Sequence, residues 1–200
     1  MEKTVVADWL HQDKVGYLVA CFLSEASQRI VTELLGTISK QLPEVVFKMP
    51  PDQQHITLFE IIIQLWDYPG DKDELYEEHK EEIECSLAEL FADQPPISIT
   101  FDTLEASSQA IIIKGTDDGS FQRLRKMATQ RPIIQADKLP PTIVHSSIAR
   151  YTKSVDLKMV QDVVSGCTVS FQEEVKEFSL RRVFRTPMET ELIHRYPLKV

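Results

Sequence analysis

Two residues in the first third of the chain could act together on a phosphate group. His55 and Thr57 lie in residues 51–63, a run that begins with proline and is rich in β-branched and aromatic residues, which favours a strand. Positions i and i+2 of a strand share a face, so these two side chains project together. An imidazole can move a proton, and a hydroxyl can donate a hydrogen bond to a phosphate oxygen. One such pair is also common on ordinary protein surfaces, so alone it indicates little.

The same pattern returns 90 residues later. Residues 141–151 again place proline before a strand-like run, with His145 and Ser147 on one face and Ile148 where Leu58 stands in the first copy. A bare His-x-Ser/Thr pair is a weak motif, whereas two copies with the same proline lead-in and apolar follower are much rarer by accident. The repeat, and neither pair alone, therefore supports the interpretation as a phosphate site.

Two histidines on opposite sides of a phosphorus atom can cleave a phosphodiester without a metal ion. A neutral imidazole takes a proton from the attacking water, and a protonated imidazole gives one to the leaving oxygen. The ordinary histidine pKa of about 6.5 allows both forms near neutral pH. Thr57 and Ser147 would donate hydrogen bonds to the non-bridging oxygens as charge builds there. Whether His55 or His145 is the base stays open.

The two motifs, His-Ile-Thr-Leu at residues 55–58 and His-Ser-Ser-Ile at residues 145–148, resemble the paired H-x-[ST]-x motifs that define the 2H phosphoesterases. The resemblance runs from about residue 15 to the C-terminus. Residues 16–23 resemble the family's first strand, and residues 175–184 resemble its late strand, followed by a terminal strand near residues 196–198. The second motif has serine where the family often has threonine, which keeps the hydroxyl.

This resemblance implies an α+β fold. The expected architecture is a single domain over residues 1–200, duplicated into two lobes with pseudo-two-fold symmetry, in which antiparallel sheets flanked by helices place both motifs in a central cleft. Residues 1–14 would be an N-terminal arm with no feature that suggests chemistry. The implied activity is a metal-independent phosphodiesterase acting on 2′,3′-cyclic phosphates or related RNA ends or nucleotides. Some bacterial members also join RNA ends through a 2′-5′ bond, and that direction stays open.

Three further residues are candidates for substrate binding. Phe59 and Tyr151 have the strand parity of the motif side chains and could stack a base at the cleft edge, although burial in the sheet core is the commoner outcome for such aromatics. Arg150 has the opposite parity to His145, so it would need a bulge or a strand end to reach phosphate.

We also consider other arginines and histidines as residues of the phosphate site. As phosphate ligands we rank three arginines of the late strand slightly above Arg150, namely Arg181, Arg182 and Arg185. The remaining histidines lack a companion hydroxyl, and we expect ordinary surface positions for His11, His79 and His194.

Hydrophobic periodicity and Pro/Gly punctuation predict alternating strands and helices. We expect helices over residues 24–42, 71–91, 120–130 and 155–164. The two motif strands are expected over residues 54–65 and 141–151, and further strands over residues 16–23, 45–48, 97–104, 109–114, 167–172, 177–185 and 192–199. Residues 131–140 are predicted to be a loop.

The charge of the chain limits its possible partners. A net charge of −9 argues against coating of long nucleic acid, since that binding neutralises phosphates with Lys and Arg. The charge is uneven, because residues 60–105 hold fourteen acidic residues against two Lys, and residues 114–153 hold eight basic residues against three Asp. Two alternatives to an enzyme stay open. One is a non-catalytic or weakly catalytic module that uses the motifs to bind RNA-end or nucleotide phosphate, and the other is an interaction protein working through the acidic helix 71–91.

Composition also suggests the compartment. The three cysteines are widely spaced, which favours reduced thiols, and the N-terminal residues lack the apolar stretch of a signal peptide. No run is long and apolar enough to span a bilayer. We therefore expect a cytoplasmic monomer with no membrane partner, no cofactor and no metal, whose ligands are RNA ends or nucleotides carrying a cyclic phosphate.

Overall fold

The computed structural model describes residues 2–131 and 140–199, and within them the chain forms nine strands in two antiparallel sheets together with four α-helices. The elements are β1 Asp13–Phe22, α1 Glu25–Gln41, β2 Val46–Lys48, β3 His55–Ile62, α2 Lys72–Phe91, β4 Ile97–Ala106, β5 Ala110–Thr116, α3 Ser120–Thr129, β6 Val144–Tyr151, α4 Leu157–Ser165, β7 Phe171–Val175, β8 Glu177–Arg185 and β9 Glu189–Pro197. The predicted element order and the α+β class are confirmed, with ends shifted by a few residues. The loop predicted over 131–140 falls mainly on residues 132–139, which lie outside the described residues.

The two sheets have matching strand orders. The first runs β3-β1-β8-β9, and the second runs β6-β5-β4-β7 with the short β2 added beside β6. The motif strand β3 pairs with β1, and the chain between them includes helix α1. In the same way β6 pairs with β5, and the chain between them includes helix α3. This is the repeated strand–helix–strand unit expected of a duplicated fold, and it gives β3 and β6 equivalent positions.

Local sequence signals explain where the helices begin. Ser24 caps α1 by accepting from the Ser27 amide, and Asp71 caps α2 by accepting from the amides of Asp73 and Glu74. Helical spacing of the apolar residues in α1 predicts a buried stripe of Ile30, Leu34 and Ile38 with Val31 and Leu35. Val31, Leu35 and Ile38 are buried, whereas Leu34 is only partly buried and Ile30 is exposed. On α2 the apolar spacing predicts that Leu75, Ile83, Leu87 and Leu90 point inward. The last three are buried, but Leu75 is only partly buried. Its neighbour Tyr76 is buried instead and stacks on Tyr17, with 4.1 Å between the ring centroids.

Apolar side chains on the outer faces of both sheets pack against the helices in one large core. On the opposite face of the first sheet lies a smaller apolar cluster built from Leu18, Ala20, Met49, Val183 and Met188. Members of this small cluster also line the cleft between the lobes. None of the helices in the described ranges has both the length and the apolar character needed to cross a bilayer.

Each motif strand carries an irregularity at the residue that ends its motif. In the first sheet Val19 pairs with Phe59 while Ala20 pairs with Thr57, so Leu58 is an extra residue in β3. In the second sheet the extra residue is Ile148, because the pairing passes from Ala149 directly to Ser147. A β-bulge of this kind reverses which residues downstream face each side of the sheet.

The close approach of Gly16 to the end of the first motif strand gives a stability prediction. A Cβ at Gly16 would lie 2.8 Å from the Gln64 Cα, and backbone cannot move aside cheaply. We expect Gly16→Ala to lower the free energy of unfolding by about 1–3 kcal/mol, measured by urea denaturation. Gly36→Ala is the control, since its Cβ meets nothing within 4 Å in α1 and should add about 0.5–1 kcal/mol. Equal effects of the two changes would contradict this packing account.

Candidate active site

The side chains of both motifs line one cleft. His55 and Thr57 from β3, and His145 and Ser147 from β6, border a cavity of about 500 Å³ between the two sheets. Their proximity is decided by the contact of the two equivalent strands, which are far apart in sequence. The four residues singled out for catalysis therefore share one concave site, which is where ligands usually bind.

The bulge in β6 turns Arg150 into a cleft residue. Without the extra residue Ile148, Arg150 would face away from His145, as simple alternation predicts. In the structure Arg150 lines the cleft, and its Nη2 donates to the Ser147 Oγ at 3.3 Å. Since the Ser147 oxygen accepts this bond, its own proton is available for a phosphate oxygen. The strand parity of Arg150 predicted that it would reach the cleft only through a bulge or a strand end, and β6 has such a bulge.

The same two bulges correct the expectation for the aromatic residues. Phe59 and Tyr151 were expected at the cleft edge because they share strand parity with the histidines. Both are fully buried in the core, and the Tyr151 hydroxyl donates to the Ser107 carbonyl at 2.8 Å. Because each lies beyond a bulge, its parity is reversed, and neither can stack a base in the cleft.

Glu60 takes the cleft position that alternation had assigned to Phe59. It is the third cleft-facing residue of β3 after His55 and Thr57, as Arg150 is the third of β6. The two halves of the cleft therefore differ in charge at equivalent positions. The Arg150 guanidinium attracts an anion to its side of the cleft.

His55 is oriented by its own lead-in turn. Its Nδ1 lies 2.8 Å from the Gln53 carbonyl oxygen, which can only accept, so the neutral ring carries its proton on Nδ1. Gln53 belongs to a 3₁₀ turn, Pro51–Gln53, that the preceding prolines favour. The lone pair is then on Nε2, the nitrogen free to act as a base. Phe22 packs beside the ring, with 5.7 Å between centroids.

His145 presents the same nitrogen. Its Nδ1 is buried, and the Ile143 backbone beside the ring favours protonation as the Gln53 backbone does at His55, so Nε2 is the ring nitrogen left to face the cleft. Lys114 lies opposite His145 in the strand pairing and forms an ion pair with Glu105. After burial, the charges of Arg125, Arg150 and Lys114 also lower the pKa of His145.

Burial and nearby cations both disfavour protonation of the two imidazoles. Burial lowers the pKa of His55 to about 4, with further lowering from Arg150, His145 and Arg181. Burial likewise lowers the pKa of His145, helped by Arg125 and Arg150. Both rings are thus neutral near pH 7. A bound phosphate would raise the pKa of the nearer ring, which is how this site could gain its acid.

Arg125 is a site residue that sequence reasoning missed. It is only 1% exposed, and its guanidinium donates to the carbonyls of Thr57 at 2.9 Å, Leu58 at 3.0 Å and Ile143 at 3.1 Å. These carbonyls belong to the first motif strand and to the residue just before the second. Arg125 therefore joins the two motif strands and holds the bulge residue Leu58. Burial lowers its pKa to about 10, so it remains charged at neutral pH.

A sequence signal for Arg125 did exist. On the basic helix α3 it shares the buried face with Phe121, Leu124 and Ala128. A cation at an apolar position of an amphipathic helix points to a buried hydrogen-bonding role, because an unpaired buried charge is very costly.

The other arginines weighed as phosphate ligands have different roles. Arg182 faces the outer side and pairs with Asp73, whose pKa it lowers. Arg185 is exposed near Asp13 and donates to the His11 carbonyl. Arg181 stays on the cleft side of its sheet, with its guanidinium carbon 4.2 Å from the centroid of the Phe22 ring. Of the three, only Arg181 can act electrostatically on the site.

Three further features of the described residues concern the surroundings of the site. His11, His79 and His194 are exposed, as predicted. Among the described residues, no group of three or more His, Cys, Asp or Glu side chains is arranged to hold a metal ion. The N-terminal arm, for which the sequence indicates no chemistry, lines the cleft with Val5, Val6, Ala7 and Trp9.

Comparison with known proteins gives a match in fold. No family model and no curated protein sequence matches the chain. Among solved structures, TT0787 of Thermus thermophilus has a TM-score of 0.63 at 17% identity, covering 92% of this chain and 97% of that one. LigT of E. coli complexed with NADP+ has a TM-score of 0.61 at 16% identity, covering 94% and 99%. A structure described as a phosphoesterase has a TM-score of 0.56 at 16% identity, covering 92% and 99%.

The likeness covers more than nine-tenths of this chain in each case, and it confirms the α+β fold that the motifs implied. At such low sequence identity the likeness concerns the fold.

The bridging position of Arg125 gives a testable prediction. Arg125→Met leaves three backbone carbonyls without their donor and should lower the free energy of unfolding by about 3 kcal/mol. Arg125→Lys keeps the charge, but its single ammonium cannot reach carbonyls on both motif strands. We expect a folded protein in which the two strands are less firmly joined, so that the Leu58 amide hydrogen exchanges faster when followed by NMR. Arg123→Lys, on the exposed side of α3, is the control. Native exchange at Leu58 in Arg125→Lys would contradict the bridging role.

The positive surroundings of the histidines give a second prediction. Arg150→Gln removes a charge that opposes protonation of both rings, so the pKa values of His55 and His145 should rise. We expect His55 of the wild type to titrate near pH 4 when followed by NMR of the imidazole signals. Arg185→Gln, which removes an exposed charge, should leave both titrations in place. A wild-type His55 that titrates at its ordinary pKa would show that the ring is not desolvated as described.

Proposed function

We propose that this chain, which has the fold of 2H phosphoesterases, is a phosphodiesterase that opens 2′,3′-cyclic phosphates or related RNA-end and nucleotide phosphodiesters. The observation that carries the proposal is the position of His55 and His145, each with its hydroxyl partner, on equivalent strands that border one cleft. Neighbours described as a phosphoesterase and as LigT support phosphoester chemistry as the general class.

Binding of the phosphate group would use the cations and hydroxyls of the cleft. Arg150 supplies positive charge beside Ser147, and Thr57 supplies a second hydroxyl from the opposite strand. Hydrogen-bond donors fixed before the reaction stabilise the charge that develops on the non-bridging oxygens. Arg125 would act through position only, since its guanidinium is committed to backbone carbonyls.

The reaction needs two proton transfers, and two Nε2 atoms can perform them. One imidazole takes a proton from water, the water oxygen bonds to phosphorus, and the bond from phosphorus to one ribose oxygen breaks. The other imidazole, protonated when phosphate binds, gives its proton to that leaving oxygen. The product is a phosphomonoester with a free hydroxyl. Because each half carries one histidine with one hydroxyl partner, the roles of the two imidazoles could exchange. If a 5′-hydroxyl took the place of water, gave its proton to the same base and displaced the 3′ oxygen, the product would be a 2′-5′ bond in place of a phosphomonoester.

The choice of a nucleotide substrate rests on the solved relatives. LigT of E. coli is described in complexes with 3′-AMP, ATP, NADP+ and phosphate. Transfer of that ligand class to this chain is part of the proposal. No step in the scheme calls for a metal ion, so activity is expected to survive treatment with a chelator.

Replacement of either histidine tests the proposal. We expect chelator-treated wild type to open 2′,3′-cyclic AMP to a single monophosphate isomer, followed by phosphorus NMR at pH 5 to 7. His55→Ala and His145→Ala should each lose activity by at least about 10²-fold, because each removes one of the two proton transfers. His194→Ala, an exposed histidine away from the cleft, is the matched control.

The outcomes separate the candidate functions. Normal turnover by both histidine variants would overturn the proposal. Saturable binding of 3′-AMP without any turnover would favour the phosphate-binding module instead. Failure of every nucleotide to bind would favour an interaction protein acting through the acidic helix α2.

A further inference from the structure

The N-terminal arm, residues 2–12, is fixed along the cleft by backbone hydrogen bonds to both halves of the molecule. The Val5 amide donates to the Ser108 carbonyl at 2.7 Å, and the Ala7 amide donates to the Tyr151 carbonyl at 2.9 Å, both on the side of the second sheet. Further along, the His11 amide donates to the Thr186 carbonyl at 3.1 Å, just after β8 of the first sheet. The arm is therefore an ordered wall of the site.

Trp9 is the aromatic residue that this wall presents to the cleft. It is partly exposed, it borders the same cavity as both histidines, and the Arg150 guanidinium carbon lies 5.3 Å from the centroid of its ring. Its backbone carbonyl accepts from the Thr186 hydroxyl. The ring is thus held beside the cation that also donates to Ser147, which is the expected phosphate side of the cleft.

The rim near Trp9 is unusually apolar for a site that handles phosphate. Val5, Val6 and Leu65 line the cleft while remaining 55%, 39% and 46% exposed. Exposed apolar surface beside a polar site commonly marks where a ligand covers it. A flat, uncharged group attached to the phosphate would meet this requirement, and a nucleobase is such a group.

We propose that Trp9 is a base-stacking platform, so that the substrate is a nucleotide or an RNA end and not a base-free cyclic phosphate. The inference rests on the proposed function for the position of the phosphate beside Arg150. A base can stack on an indole whatever its identity, since every base has a π-face, so Trp9 selects for the presence of a base without selecting among bases. It replaces, as the stacking residue, the two buried aromatics of the motif strands.

Indole fluorescence tests the contact directly. The chain has two tryptophans, so Trp66→Phe leaves Trp9 as the only emitter. We expect saturable quenching of this protein by 3′-AMP, and none by inorganic phosphate at concentrations that compete with 3′-AMP. The matched protein is Trp9→Phe, which keeps a stacking ring and reports from Trp66 alone; it should bind 3′-AMP, detected by competition, without quenching. Absence of quenching in Trp66→Phe while 3′-AMP binds would overturn the proposal.

Kinetics separate this inference from the proposed function. Trp9→Ala should raise the KM for 2′,3′-cyclic AMP by about 10- to 100-fold, with a much smaller effect on the KM for glycerol 1,2-cyclic phosphate, which has no base. Trp9→Leu, which keeps apolar volume but no ring, should resemble Trp9→Ala. Equal effects on both substrates in a folded variant would overturn the base-stacking role. Quenching by 3′-AMP without turnover of either cyclic phosphate would refute the proposed function and leave the role of Trp9 standing.

Discussion

The geometry of the cleft depends on one buried cation. Arg125 reaches from α3 to carbonyls of both motif strands, and those bonds replace the hydration that its charge loses on burial. In the described ranges no strand of one sheet pairs with a strand of the other, so a cation bonded to both motif strands restricts how far they can separate. The same guanidinium donates to the carbonyl of Leu58, the extra residue of the first bulge. Arg125 therefore holds the two motif strands together and also fixes the bulge that decides which side chains of β3 face the cleft after Leu58.

The bulges make a symmetric fold into an asymmetric site. At equivalent places after the two bulges stand Glu60 and Arg150, and only the second can attract a phosphate. Burial, and after it the surrounding cations, lowers the pKa of His55 and His145 and keeps both rings neutral near pH 7. A phosphate anion reverses that balance. The proposed mechanism therefore couples arrival of the substrate to the proton that one imidazole must donate.

The parity of the motif strands shows where reasoning from sequence succeeded and where it failed. His55, Thr57, His145 and Ser147 precede the bulges, so alternation placed them together on the cleft face, as the structure does. Beyond the bulges the same rule put Phe59 and Tyr151 in the cleft, where the structure has Glu60 and Arg150. A bulge depends on how two strands pair, and the pairing partners β1 and β5 lie in other parts of the chain. The alternation of residues within one strand therefore does not predict where a bulge occurs.

The sequence by itself determined the element order, the α+β class and the two repeated motifs, because strand propensity, caps and proline breaks act over short stretches of chain. Only the tertiary structure decided which side chains complete the site. Arg125 lies 20 residues before the second motif and Trp9 lies 46 residues before the first, and neither spacing predicts contact with the cleft. Both positions follow from long-range packing: α3 docks against the motif strands, and the N-terminal arm crosses the two halves through backbone hydrogen bonds that almost any sequence could form.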